Sequence, residues 1–203
     1  KKDLSMKILL AEDQAMVRGA LASLLRLSSQ HELVEAADGD AALALLKQQS
    51  FDMLLTDIEM PGRSGLELAA WLQHQQSPTK VVIITTFGRS GYIRRALDCG
   101  VSGFLLKDAP VQDLLAALEK VQAGKRVIDS ELALLALGEQ DPLNDKERRA
   151  LRLAGEGKST AEISQLLFIA EGTVRNYLSE AMSKLNAANR IDAARIAQQK
   201  GWL

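Results

Sequence analysis

Five short apolar runs, alternating with segments of helical periodicity, constrain the first two thirds of this chain more than any other feature. Lys7 to Ala11 (KILLA), Glu32 to Ala36 (ELVEA), Met53 to Thr56 (MLLT), Val81 to Thr85 (VVIIT) and Gly103 to Leu106 (GFLL) have the length and content of strands. Between the first two runs, Met16, Val17, Ala20, Leu21, Leu24 and Leu25 recur at helical spacing. Behind Pro110, so do Val111, Leu114, Leu115, Leu118 and Val121. This alternation predicts an α/β fold, a doubly wound five-stranded parallel sheet with helices on both faces. VVIIT is apolar without interruption, as a central strand buried on both sides requires.

After Gly124 the pattern weakens as far as Asp141, and from Leu143 onward the residues carry helical periodicity only. The expected plan is an α/β domain over 6–123, a linker over 124–141 and an all-α domain over 142–203; Lys1 to Ser5 stand outside the first strand pattern. A chain of 203 residues, 47% hydrophobic and 25% charged, has the material for two such cores. No apolar run approaches the roughly 18 residues that cross a bilayer, and no signal-peptide pattern opens the chain. A cytoplasmic protein without a membrane partner is expected. The lone Cys99 can form no internal disulfide. Residues 136–203 carry 10 basic and 9 acidic side chains, so charge alone does not mark a nucleic-acid-binding domain.

In an open parallel sheet, ligands bind beyond the carboxyl ends of the strands. Glu12 and Asp13 follow the first strand and Asp57 the third, so three carboxylates from separate regions can meet at one edge. Such a cluster repels itself unless a cation neutralises it, and hard oxygen ligands that leave room for water and phosphate point to Mg²⁺. Thr85 ends the fourth strand and Lys107 follows the fifth, adding a hydroxyl and a cation. Nucleophilic carboxylate, metal and fixed lysine are the parts of a phosphoryl site. Taken singly, each residue is as well explained as a helix cap, a β-branched core residue or a solvated charge; order and spacing favour the joint reading. No GxxxxGK[ST] or GxGxxG loop is present, and His31 and His74 lie in no catalytic motif, so the phosphoryl group must come from elsewhere.

The acidic pair in LLAED, the acid in LLTDIEMPGRSGLEL, the hydroxyl in VVIITT and the lysine in GFLLKD together resemble the receiver domain of bacterial response regulators, a flavodoxin-like fold. The resemblance implies that Asp57 accepts a phosphoryl group from a sensor histidine kinase. It implies that Asp13, Asp57 and the backbone carbonyl of Glu59 ligate Mg²⁺ with help from Glu12, that Thr85 and Lys107 contact the phosphoryl oxygens, and that Thr85 and Phe104 form the switch. Its catalysis would be limited to slow self-phosphorylation and dephosphorylation. Asp108 stands where many receivers have proline, so no cis Lys-Pro bond can form. Phe104 lacks a hydroxyl, so a switch there acts by packing.

In the last third, Asn144 precedes Glu147 by three and Ser159 precedes Glu162 by three, two capping-box starts. A short helix over 160–167, the turn Phe168-Ile169-Ala170-Glu171 and a longer helix to about Leu185 have helix-turn-helix spacing. Arg175, Asn176, Ser179 and Ser183 share the face left polar, suited to base edges and phosphates in a major groove. Thr173 lies near the entering end and Lys184 is placed for a phosphate. A solvated face on an ordinary helical bundle fits the periodicity as well. The segment LNDKERRALRLAGEGKSTAEISQLLFIAEGTVRNYLSEAMSKLNAANRIDAARIAQQKGW resembles the LuxR-type DNA-binding domain, and the whole chain the NarL/FixJ family. That resemblance implies double-stranded DNA as partner, with Thr173, Val174, Arg175, Tyr177 and Lys184 at or near it. It also implies a homodimer when phosphorylated, paired through the last helix, and RNA polymerase as a further partner. Ile191, Ala194, Ile196 and Ala197 are candidates for that helix's dimer face or for burial within its own domain. Ala170 stands where these domains usually have serine, which removes a side-chain cap worth about 1 kcal/mol.

Two other functions remain open to the residues: a metal-dependent hydrolase using the acidic pocket, and a DNA-binding scaffold indifferent to phosphorylation. The absence of a second acid/base pair or a DxDGT-like sequence argues against the first. The joint presence of Asp13, Asp57, Thr85 and Lys107 argues against the second.

Overall fold

The computed structural model describes residues 5–28, 30–86, 90–137 and 140–203, so Lys1 to Leu4 and linker positions 138 and 139 lie outside it. The chain divides into two compact units, one built mainly from residues before 136 and the other mainly from 136 onward. Among the described residues, no helix is long and apolar enough to cross a membrane.

In the first unit, strands β1 (Lys7–Ala11), β2 (Glu32–Ala36), β3 (Met53–Thr56), β4 (Lys80–Thr85) and β5 (Gly103–Leu106) form a parallel sheet in the order 2-1-3-4-5. Helices α1 (Ala15–Ser28), α2 (Gly39–Gln48), α3 (Gly65–His74), α4 (Ser90–Asp98) and α5 (Val111–Gln122) make the crossovers. On one face Ile8, Leu10, Met53, Leu55, Val82, Ile84 and Leu105 pack with Ala22 and Leu25 of α1 and with Leu114, Ala117, Leu118 and Val121 of α5. Leu9, Leu54, Ile83 and Phe104 alternate with them along the strands and occupy the other face, also fully buried. Strand order reverses between β1 and β3, so the loops after these two strands open the crevice in which doubly wound sheets bind ligands.

Two details differ from the pattern read along the sequence. The sheet has a sixth strand, β6 (Val127–Ile128), parallel to β5 with Phe104 opposite Ile128, and it is followed by α6 (Ser130–Ala136). Both lie within the expected linker. Their hydrogen bonds are explicit: the Val127 amide donates to the Ser102 carbonyl at 2.9 Å and the Asp129 amide to that of Phe104 at 2.9 Å. Second, α1 is turned so that Ala22 and Leu25 enter the core, while Met16 and Ala20 face outward.

The second unit holds α7 (Asp145–Gly155), α8 (Thr160–Leu167), α9 (Glu171–Lys184) and α10 (Arg190–Gln199). Capping boxes start α7 (Asn144 with Glu147) and α8 (Ser159 with Glu162), and the Asn189 side chain caps α10. The core gathers Leu143, Leu151, Ile163, Val174, Leu178 and Trp202 around a floor of alanines that lets the helices approach closely. Arg148 ties the ends of this unit together. Its guanidinium donates to the carbonyls of Leu143 (3.0 Å) and Trp202 (2.8 Å) and pairs with Asp141 and Asp145.

Candidate functional site

The strands that end at the crevice deliver polar groups to it. Glu12 leaves β1 with its amide still bonded to the Ala36 carbonyl (3.2 Å), and the residue is buried, 1% exposed. Asp57 leaves β3, its amide donating to the Ala11 carbonyl at 3.0 Å. Gly65, the first residue of α3, sits so close to the Asp57 carbonyl that any Cβ there would overlap it. The loop after Asp57 can therefore fold back only with glycine at this position.

Lys107 is the electrostatic centre of the pocket. Its Nζ lies 2.5 Å from Glu12 Oε2 and 2.9 Å from Asp57 Oδ2, with only 8% of the side chain exposed. The other carboxylate oxygens have partners too: Asp57 Oδ1 accepts from the Ile58 amide (2.7 Å) and Glu12 Oε1 from the Gln14 amide (3.0 Å). Burial pushes the Glu12 carboxyl up, against the opposing pull of Lys107. Burial would also lower the Lys107 ammonium, but its hydrogen bonds to Glu12 and Asp57 outweigh this and hold it above the usual lysine value. Asp13 is exposed at the rim, and Glu12, Asp13 and Asp57 each offer an oxygen within 4.8 Å of the others. A hard divalent cation fits this donor set, because one ammonium cannot balance three carboxylates. Thr85 is buried at the end of β4, and its carbonyl accepts from the Lys107 amide at 2.7 Å. Phe104 is 0% exposed, so its ring already packs inward.

The second unit presents α9 behind the turn that follows α8. Arg175, Asn176 and Ser179 are exposed on one face, with Thr173 half-buried near the helix start and Tyr177 half-buried against the core. Val174 is 0% exposed and packs in the core with Leu178 and Ala181 of the same helix, so it can serve a DNA interface only through the position it gives α9 and not through its own methyls. Lys184 has a structural tie that sequence reading missed. Its Nζ lies 2.9 Å from both oxygens of Glu147, a carboxylate buried in the capping box of α7. Ala194 and Ala197 are buried in the helical core, Ile196 is half-buried and Ile191 is exposed. No side chain caps α9, where Ala170 takes the N-cap position. The residue ending α8, Phe168, adopts the left-handed conformation (φ 55°, ψ 43°) that is usually left to glycine. For an L-residue that backbone costs about 1 kcal/mol.

The profile of the response regulator receiver domain matches residues 8–119, and that of the bacterial regulatory proteins of the luxR family matches 141–197. This chain belongs to the LuxR-type response regulators. Its relatives include two transcriptional regulatory proteins of Bacillus subtilis, each 44% identical. YvfU aligns over 98% of this chain and 100% of its own length, DesR over 97% and 98%. Among solved structures, the response regulator RcsB in complex with DNA is 25% identical, covers 97% of this chain and 99% of its own, and superposes with a TM-score of 0.65. A further RcsB structure, from Salmonella typhimurium, gives 0.64 at 25% identity over 96% and 100%. The protein is thus a two-component response regulator, a transcriptional regulator whose second domain is a DNA-binding module.

In this response regulator the start of the recognition helix carries an acid. Glu171 Oε2 accepts from Arg175 Nη2 at 3.0 Å across one helical turn, with both side chains open to solvent. The carboxylate steadies the helix N-terminus, but its negative charge opposes the approach of any nucleic-acid backbone to this module, and it is paired with Arg175. Glu171→Gln is therefore expected to tighten DNA binding severalfold at low salt while costing α9 only about 0.5 kcal/mol. The gain should shrink as salt rises; fluorescence anisotropy at two ionic strengths measures both effects.

Proposed function

We propose that this regulator is switched by transfer of a phosphoryl group to Asp57 from a sensor histidine kinase, and that the phosphorylated form binds double-stranded DNA as a homodimer. The observation carrying the proposal is the Asp57 carboxylate at the crevice, flanked by the acids Glu12 and Asp13 and held by Lys107. An Asp57 oxygen attacks phosphorus, an O–P bond forms, and the N–P bond of the donor phosphohistidine breaks with its electron pair returning to the imidazole. Lys107 then passes its hydrogen bond from the carboxylate to a phosphoryl oxygen, with the Thr85 hydroxyl as a further donor. Glu12, Asp13, Asp57 and the Glu59 carbonyl would hold Mg²⁺, which when bound supplies positive charge beside the transferring oxygens. The chain is acceptor and switch; its own catalysis stays confined to slow self-phosphorylation and slow hydrolysis of the acyl phosphate.

Movement of Thr85 towards the phosphoryl group repacks β4 against Phe104, and the receiver surface so altered favours the dimer. A coupling of about 1 to 3 kcal/mol suffices for a useful switch. On the DNA side we assign Thr173, Arg175, Asn176, Tyr177 and Ser179 to the groove. Lys184, whose side chain is 35% exposed, retains a donor for a phosphate beyond its bonds to Glu147. Two copies supply the contacts that one nearly neutral domain lacks. The exposed Ile191 of α10 is available for pairing. Binding takes place in the cytoplasm, where RNA polymerase is the partner that reads the outcome. The test compares the full-length protein with and without a small phosphodonor in Mg²⁺. Phosphorylation should raise both the dimer fraction and the affinity for a duplex selected from a random library, each at least about tenfold. Equal values in both states would remove the switch.

A further inference from the structure

The turn between α8 and α9 carries an aromatic ring for which the fold has no use. Phe168 is 93% exposed although it is among the largest apolar side chains of its domain, and its neighbour Leu166 is 53% exposed. Its backbone is left-handed, a conformation that glycine or asparagine would supply without steric conflict. Ile169 beside it turns inward to the core, so the ring serves neither packing nor the turn. The residues that follow leave the start of the recognition helix bare. Ala170 gives no side-chain cap, and a Cβ on Gly172 would meet nothing within 4 Å, so nothing in the chain itself calls for glycine there. No acceptor meets the amides of Glu171 and Gly172 among the described residues. An approaching sugar-phosphate backbone would explain both: it needs open space at Gly172 and supplies the acceptor that Ala170 does not.

We propose that Phe168 is a DNA-contacting residue, its ring packing on the deoxyribose next to the phosphate received at the start of α9. The proposal rests on α9 being the element that meets DNA, and it extends that interface to the turn before the helix. An apolar contact of this kind adds affinity without neutralising charge, which separates it from the contacts of Arg175 and Lys184.

Full-length Phe168→Gly and Phe168→Tyr are compared with wild type on a duplex selected by the phosphorylated wild-type protein. Phe168→Gly should keep or raise the melting temperature, because glycine relieves the left-handed backbone. It should weaken binding about tenfold, as loss of a buried aromatic anchor does. The slope of log affinity against log salt should stay as in wild type, and Phe168→Tyr should bind like wild type. Equal binding by Phe168→Gly and wild type overturns the proposal and leaves the ring to a protein partner. A fall in melting temperature alongside the lost binding overturns it in favour of a structural role, and a shallower salt slope overturns the apolar contact. If wild type selects no duplex at all, it is the assignment of α9 to DNA that fails.

Discussion

Asp57→Ala is expected to abolish phosphoryl transfer while leaving a folded receiver. Incubated with a small phosphodonor and Mg²⁺, the wild-type protein should gain the mass of one phosphoryl group, in a linkage labile to hydroxylamine as acyl phosphates are. The variant should gain none, and its DNA affinity should stay at the unphosphorylated level whatever the donor concentration. Both halves follow from the pocket. Asp57 is the acid placed opposite Lys107 with its other oxygen on the Ile58 amide, an arrangement that would hold the proposed nucleophile without burying it completely. Glu12 is too buried and too strongly paired to take its place, and Asp13 lies out at the rim. The fold should survive, because the shorter Lys107–Glu12 contact does not involve Asp57 and so leaves the ammonium a partner in the variant. Phosphoryl mass appearing on the variant, at Asp13 or elsewhere, would show that the acceptor is a different residue. Full phosphorylation of wild type with unchanged DNA affinity would retain the acceptor and remove the switch.

That Glu12, Asp13, Asp57, Thr85 and Lys107 stand at the strand ends was legible in the sequence for a simple reason. Each directly follows or ends a buried run, and a parallel sheet places all such positions on one edge. The features that were not legible depend on geometry between elements. Two residues are too few for β6 to show a period, and its existence follows from the free edge of β5 at Ser102 and Phe104. The α1 stripe misled because apolar residues cover more of that helix than its contact face requires, so periodicity could not say whether Met16 or Leu25 points inward. Phe168 carried no signal, since a left-handed turn is usually announced by glycine or asparagine and here is not. Lys184 was assigned through resemblance to the DNA side of α9, and the way that helix packs beside α7 ties it to Glu147.

That last pairing sets the largest stability effect expected in the DNA-binding domain, from Lys184→Ala. Glu147 is only 3% exposed, and its oxygens are met by the two bonds from Lys184 and by the Asn144 amide at 2.9 Å. Losing the ammonium leaves a buried carboxylate with one donor. Removing one partner from a fully buried pair costs about 3 to 5 kcal/mol; with the Lys184 side chain partly open to water, about 2 kcal/mol is the better figure. In a domain this small, that lowers the melting temperature by about 10 °C. If Lys184 acted only on DNA, Lys184→Ala would melt like wild type and lose affinity alone. Lys184→Met combined with Glu147→Gln separates the two roles, because the double change removes the stranded charge and should recover much of the stability lost in Lys184→Ala. Calorimetry of the three proteins reads the structural part. Binding at a temperature where all are folded reads what remains for the phosphate, which the salt slope should report as about one contact fewer.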